Sequence, residues 1–179
     1  MGTLDRVLSY LPVLLVPLAW TFTALVGFSS VVSGAALRIG LAVMCVLFAV
    51  FAAHPEMRGP ALGAWRAVIA AGLVATLAAL ATLLGVGPSL PTGRLAVVVW
   101  LGAPAYGLVR TGRALSLADR RYGLFAAASL VGGTLAAVAA LPGVPEVATL
   151  AGVLVGGAGQ TASIVDAVLR QARSQSRSA

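Results

Sequence analysis

The sequence predicts an all-α membrane protein, a bundle of six transmembrane helices, on two observations. Apolar residues make up 60% of the 179 residues and charged residues 9%, whereas soluble domains contain about 45–50% and about 25% respectively. Six apolar runs with uncharged centres follow one another along the chain, each close to the length of about 20 residues with which a helix crosses a hydrocarbon core. We assign residues 1–170 to a single integral membrane domain and residues 171–179 to a short, basic, polar tail.

The first three predicted spans are bounded by residues that favour turns. The first span covers residues 8–28 and is followed by a segment rich in serine and glycine, 29–34. The second covers 36–54 and ends at a segment with two prolines, 54–60. The third covers 67–87 and ends where two more prolines follow. Serine, glycine and proline interrupt helices, so each of these segments separates two spans.

The last three spans follow in the same way. The fourth covers residues 94–110, is the shortest and contains Pro104. The fifth covers 121–142 and begins at the end of a polar segment, 110–121, that contains four arginines. The sixth covers 147–168 and begins after a turn with two prolines. That short turn predicts that the fifth and sixth helices lie antiparallel and side by side.

Arginine placement predicts the orientation of the bundle. All twelve basic residues are arginines, and with six spans ten of them fall on one side: Arg6, Arg58, Arg66, Arg110, Arg113, Arg120, Arg121, Arg170, Arg173 and Arg177. Only Arg38 and Arg94 fall on the other side. Because basic loops stay in the cytoplasm, this predicts a multi-pass protein of the cell membrane with both termini cytoplasmic. The basic inner surface favours anionic lipid headgroups, and nucleic acid is not an expected partner because the arginines lie between apolar runs.

Two further patterns concern the arrangement of the spans. Segment 70–79 resembles segment 127–137, and the residues after Arg38 resemble those after Arg94. These similarities favour three repeated helical hairpins. Aromatic rings typically anchor a protein at the membrane interface. The predicted anchors, which lie near the cytoplasmic arginines, are Tyr10, Trp65 and Tyr122.

The chain lacks the residues that most chemistry requires. It has no lysine, one histidine (His54) and one cysteine (Cys45), and no aspartate, glutamate, arginine or histidine lies in the middle of a predicted span. A Schiff base through lysine is therefore excluded, and a multi-ligand site of histidine and cysteine has too few donors. The sequence predicts no catalytic residue, no metal site and no cofactor, and it favours a protein that is not an enzyme.

Small residues recur at helical spacing in the last two spans. In the sixth span they are Gly152, Gly156, Gly159 and Ser163, and in the fifth Ser129, Gly133, Ala136 and Ala140. Small side chains let two helices approach closely in a membrane, where no hydrophobic effect drives them together. We expect the two helices to pack along these faces, and the same faces would equally suit a contact between subunits.

Gln160, Ser163 and Pro104 are the candidates for a functional site inside the bilayer. The amide of Gln160 can bond across helices or line a pathway, and the Ser163 hydroxyl can do the same. Pro104 indicates either a tolerated kink or a helix broken at a substrate site. We favour the bond across helices for Gln160 and the tolerated kink for Pro104, because these are the commoner uses of such residues in membrane helices.

Three functions remain open at this stage. The favoured one is a non-catalytic scaffold or accessory subunit of a membrane complex, which implies membrane lipids and a membrane-protein partner or a second copy as partners. The alternative is a small transporter or channel for a neutral or apolar solute, built around Gln160 and Pro104. A membrane enzyme is the third, and no group of residues supports it.

Overall fold

The computed structural model describes residues 3–59, 62–87, 90–114 and 120–177, with side chains described from residue 13 onward except at 56, 171–172 and 174–177. Every regular element in these ranges is helical. The elements are α1 (Thr3–Phe28), α2 (Gly34–Ala53), a 3-10 turn (Pro55–Arg58), α3 (Gly63–Leu83), α4 (Thr92–Gly102), α5 (Pro104–Ala114), α6 (Arg120–Val138) and α7 (Val147–Arg177).

Five helical segments are long and apolar enough to cross a membrane. They are Gly34–Ala53, Gly63–Leu83, Thr92–Ala114, Arg120–Val138 and Val147–Arg170. The apolar part of α1 with described side chains, Val13–Phe28, is shorter than these five. The all-helical fold is therefore as predicted, and the helices suit a multi-pass membrane protein. The sixth span, the positions of the termini and the three-hairpin repeat stay predictions.

Except at the end of α7, the outer ends of the predicted spans differ from those of the observed helices by at most five residues. The third helix ends at Leu83 instead of residue 87, because Gly85 adopts a left-handed conformation with φ of 77°. The amides of Gly85 and Val86 then bond to the carbonyl oxygens of Thr82 and Ala81, at 3.0 Å each, which is a Schellman end. In contrast, α7 continues through the predicted polar tail to Arg177, where no proline or glycine stops it; residues 178–179 of that tail lie outside the described residues.

The packing order of the helices is not their order in the chain. Helix α2 packs on α3, α3 on α4, and α6 on both α4 and α5. The most extensive pairing is between α6 and α7, and α1 packs on the other side of α7. The pair formed by α4 and α5 therefore lies between α3 and α6.

Two of the three predicted interface anchors point into the bundle instead. Tyr122 is 3% exposed and packs with Leu108 and Ala126. Trp65 packs against the same cluster and donates a hydrogen bond of 2.9 Å from Nε1 to Thr111 Oγ1. Tight packing of α5 against α3 and α6 explains this difference, which a sequence pattern cannot reveal. The side chain of Tyr10, the third predicted anchor, lies outside the described residues.

Candidate functional site

The predicted fourth span is broken in two at Pro104. Helix α4 ends at Gly102, Ala103 follows, and α5 begins with Pro104. Proline has no amide hydrogen, so the carbonyl group of Trp100, four residues earlier, has no partner within the helix. A buried carbonyl group without a partner is costly in a membrane, so the break requires a donor from elsewhere in the protein.

Gln160 of α7 supplies that donor. Its Nε2 lies 3.0 Å from the carbonyl oxygen of Trp100 and 3.3 Å from that of Leu101. The same nitrogen lies 3.1 Å from Ser129 Oγ, and the Ser129 hydroxyl in turn donates to the carbonyl oxygen of Leu101. The indole Nε1 of Trp20 donates to Gln160 Oε1 over 3.2 Å. Every polar atom of the Gln160 side chain is thus bonded to the protein.

We call this group the break site: Trp20, Trp100, Leu101, Pro104, Ser129 and Gln160. Its hydrogen bonds join four helices, α1, α4, α6 and α7. Gln160 is 8% exposed there and Ser129 is fully buried. The donors and acceptors are amide, hydroxyl, indole and carbonyl groups, which carry no charge near neutral pH. Such a group can hold helices together or contact a neutral solute, and it has no acid or base with which to move a proton.

The structure brings Gln160 and Pro104, which the sequence had grouped as candidates for one site, together with Ser129, which it had assigned to helix packing. Ser163 lies elsewhere: its hydroxyl donates over 2.7 Å to the carbonyl oxygen of Gln160, within the same helix. Ser163 is buried, at 4% exposure. Its bond is of the local kind that serine commonly makes to a preceding turn of its own helix.

The glycines of α7 lie against α6 at backbone distance. A Cβ atom built on Gly152 would lie 2.6 Å from the carbonyl oxygen of Gly132, and one on Gly159 would lie 2.7 Å from the Cβ of Ala128. Gly156 is close both to Gly132 and to the side chain of Leu101. These helices therefore touch where only glycine leaves room.

Gly132 was missed by the sequence analysis, which chose its neighbour Gly133. A Cβ atom on Gly132 would lie 2.6 Å from the carbonyl oxygen of Gly152, whereas one on Gly133 would lie 3.0 Å from Gly102 of α4. Successive helical residues point about 100° apart, so the two glycines serve two different neighbours. The pair of adjacent glycines was the available signal that α6 is packed on two sides.

A second polar contact, between α3 and α4, was not predicted either. Trp100 Nε1 donates to Thr76 Oγ1 over 3.0 Å, and the Thr76 hydroxyl donates to the carbonyl oxygen of Gly72 over 2.7 Å. The ring of Trp100 lies directly on Gly72, where a Cβ atom would overlap it. Trp100 thus links α3 to the break site through its side chain and its carbonyl group.

Charged pairs occur at the two ends of the bundle. Arg94 and Glu146 pair at 3.1 Å near the starts of α4 and α7. At the other end Asp166 pairs with Arg170 at 2.6 Å and with Arg121 at 3.5 Å. Among the described residues, no group of three or more histidine, cysteine or acidic residues is placed to hold a metal ion.

Comparisons with known proteins return no relative: no family model, no curated protein and no solved structure matches the chain.

Proposed function

We propose that this chain is a non-catalytic, multi-pass protein of the cell membrane that acts as a scaffold or accessory subunit of a larger membrane complex, with both termini in the cytoplasm. The observation that supports this proposal is the use of the polar groups in the break site. Gln160 and Ser129 bond to carbonyl oxygens of α4, and Trp20 bonds to Gln160. Their hydrogen bonds hold four helices together, as a rigid scaffold requires.

Partners of two kinds fit this role. A scaffold binds another membrane protein or a second copy of itself through helices that face the lipid, and α2, which packs mainly on α3, presents such a surface. The arginine-rich end of the bundle suits anionic lipid headgroups. Both kinds of partner would bind at the outer surface of the bundle, and neither would need to enter its interior.

The scaffold proposal is tested by purification from native membranes at native expression level. Membranes are extracted with an amphipathic polymer that retains the lipid belt, and the tagged chain is captured and its mass measured. We expect a partner, or a second copy, in a fixed stoichiometric ratio. A chain that emerges alone, with only lipid, would contradict the proposal.

A transporter for a neutral or apolar solute is the second candidate, because one observation favours it. A helix broken in the bilayer beside an uncharged polar side chain is the arrangement found at transporter substrate sites. The test is glycerol flux into proteoliposomes, comparing the wild type with Gln160→Ala and with Thr134→Ala, an exposed threonine of α6. Flux that is present in the wild type, lost in Gln160→Ala and kept in Thr134→Ala would favour transport over the scaffold role.

A further inference from the structure

Three exposed arginines lie at the end of the bundle where α5 stops and α6 begins. Arg110 and Arg113 belong to α5, and Arg120 is the first residue of α6. Within the described part of the chain none of the three makes a hydrogen bond or an ion pair. The two acidic side chains that the structure describes are already used: Glu146 pairs with Arg94 at the opposite end, and Asp166 is shared by two other arginines. Among the side chains that the structure describes, these three arginines therefore have no acidic partner.

Two of these arginines share one face of α5 with an aromatic residue. Tyr106, Arg110 and Arg113 occur at i, i+4 and i+7, which places them on one stripe of the helix. All three are exposed, Tyr106 at 54%, while Ala105 and Leu108 on the opposite face are buried. Tyr106 lies about 6 Å nearer the break than Arg110, at a rise of about 1.5 Å per residue. An aromatic ring followed outward by basic residues is the order typical of a membrane interface.

The helix that presents this stripe is held firmly on its inner side. Thr111 accepts the hydrogen bond from Trp65, and a Cβ atom on Gly107 would lie 3.0 Å from the ring of Trp65. On the α6 side, a Cβ atom on Gly112 would lie 3.0 Å from the Cβ of Tyr122. The backbone of α5 is thus fixed between α3 and α6, and the stripe is displayed on a rigid element, as specific binding requires.

We propose that Arg110 and Arg113 bind the phosphate of an anionic glycerophospholipid whose glycerol region lies against Tyr106. Guanidinium groups bind phosphate oxygens through paired hydrogen bonds, and a tyrosine one turn deeper suits the glycerol and upper acyl region. The ligand is a lipid and not free phosphate, because the stripe runs on from the arginines to the exposed apolar surface of Val109. This proposal rests on the membrane location proposed above but not on the scaffold role.

The test is a lipid titration of the purified full-length chain in neutral detergent, followed by native mass spectrometry. The probes are dioleoyl phosphatidylglycerol, which is anionic, and dioleoyl phosphatidylcholine, which is zwitterionic. We expect the wild type to bind the anionic lipid more tightly, and the double variant Arg110→Gln, Arg113→Gln to lose about 30-fold in affinity for it, given the usual attraction per basic residue. Affinity for phosphatidylcholine stays unchanged.

The matched control is Arg38→Gln, Arg58→Gln, which removes the same charge from two exposed arginines elsewhere. We expect it to keep wild-type affinity for phosphatidylglycerol. Both double variants should unfold at the wild-type temperature, because the described residues provide no hydrogen-bond or ion-pair partner for these four side chains. Equal losses in the two double variants would overturn the proposal in favour of net charge alone. Displacement of the lipid by an equal concentration of inorganic phosphate would overturn it in favour of a free-anion site. The scaffold proposal is tested by capture of a partner protein, which is a separate measurement. Failure of the lipid proposal would therefore leave the scaffold proposal intact, and failure of the scaffold proposal would leave the lipid proposal intact.

Discussion

Helices α2 and α6 are of similar length, yet they relate to the rest of the bundle in opposite ways. Helix α2 is the most apolar of the candidate spans and buries a single residue, Cys45. Helix α6 is less apolar and buries six residues, among them Ser129, Gly132 and Gly133. In a soluble protein the more apolar helix would be the more deeply buried.

The inversion follows from the solvent. Lipid chains are as apolar as the side chains of α2, so burying α2 in protein gains little over leaving it in lipid. Glycine permits close backbone contact, and serine and glutamine require bonding partners that lipid lacks, so these residues draw helices together. In this bundle the content of glycine and polar residues, and not the apolar content, decides which helices pack closely.

The largest expected effect tests the backbone contact between α6 and α7. Gly132→Val puts a branched side chain where a Cβ atom alone would lie 2.6 Å from the carbonyl oxygen of Gly152 and 2.8 Å from the Cα of Gly156. Backbone cannot move aside as a flexible side chain can, so we expect the free energy of unfolding to fall by about 3 kcal/mol or more. The measurement is unfolding in mixed micelles by titration with sodium dodecyl sulfate, followed by circular dichroism.

The control is Gly123→Val, in the same helix. A Cβ atom on Gly123 has no neighbour within 4 Å, so we expect a change of less than about 0.5 kcal/mol, as for exposed substitutions in general. Similar losses at the two glycines would mean that valine disturbs α6 itself, and the comparison between packed and lipid-facing surfaces would fail.

The second effect tests whether Gln160 compensates for the missing amide of Pro104. Gln160→Leu keeps the approximate volume but leaves the Trp100 carbonyl and the Trp20 indole without their partner, which we expect to cost about 2–3 kcal/mol. In the background of Pro104→Ala, which restores an amide that can reach the Trp100 carbonyl, the same substitution should cost about 1 kcal/mol less. The four proteins form a double-mutant cycle in the same unfolding assay. Strict additivity would show that Gln160 and the break are energetically independent.

Much of the fold could be predicted because its signals are local. Long uncharged runs and the prolines, glycines and serines between them located the helices to within a few residues, and the last two helices were expected to pair. The contacts that could not be predicted depend on which helices become neighbours in the folded protein. Pro104 and Gln160 were grouped in one hypothesis, but the hydrogen bond from Gln160 to the break was not predicted. The two residues are 56 positions apart in the chain, and nothing local indicates that α7 passes beside the break.

The choice of Gly133 over Gly132 has the same origin. Periodicity finds one face of a helix at a time, and α6 has two packed faces, one against α7 and one against α4. Tyr122 illustrates the same limit: its neighbours in the sequence are arginines, which suggested the interface, whereas its neighbours in space are Leu108 and Ala126.

A third, smaller effect compares one substitution in the two environments. Val153→Ala removes two methyl groups at a residue that is 3% exposed and packs with Leu101 and Ala136, whereas Val46→Ala removes them at a residue of α2 that is 63% exposed. We expect about 1–2 kcal/mol for Val153, from lost packing contacts, and less than about 0.5 kcal/mol for Val46, whose methyl groups are replaced by lipid or detergent. If both losses are equal, α2 is covered by a partner or a second copy under the conditions of the assay.

The smallest effect concerns α3, which is more buried than α2 and less buried than α6. Thr76→Val removes the hydroxyl that accepts from Trp100 Nε1 and keeps the shape of the side chain. We expect a loss of only about 0.5–1 kcal/mol, because hydrogen bonds between membrane helices are modest when the unfolded chain finds other partners. Thr134→Val, at an exposed position of α6, serves as the control and should change nothing measurable. If Thr76→Val lowers the free energy of unfolding as much as Gln160→Leu does, α3 belongs with α6 and α7 to the hydrogen-bonded core. If it causes no loss, α3 resembles α2 and is held by packing alone.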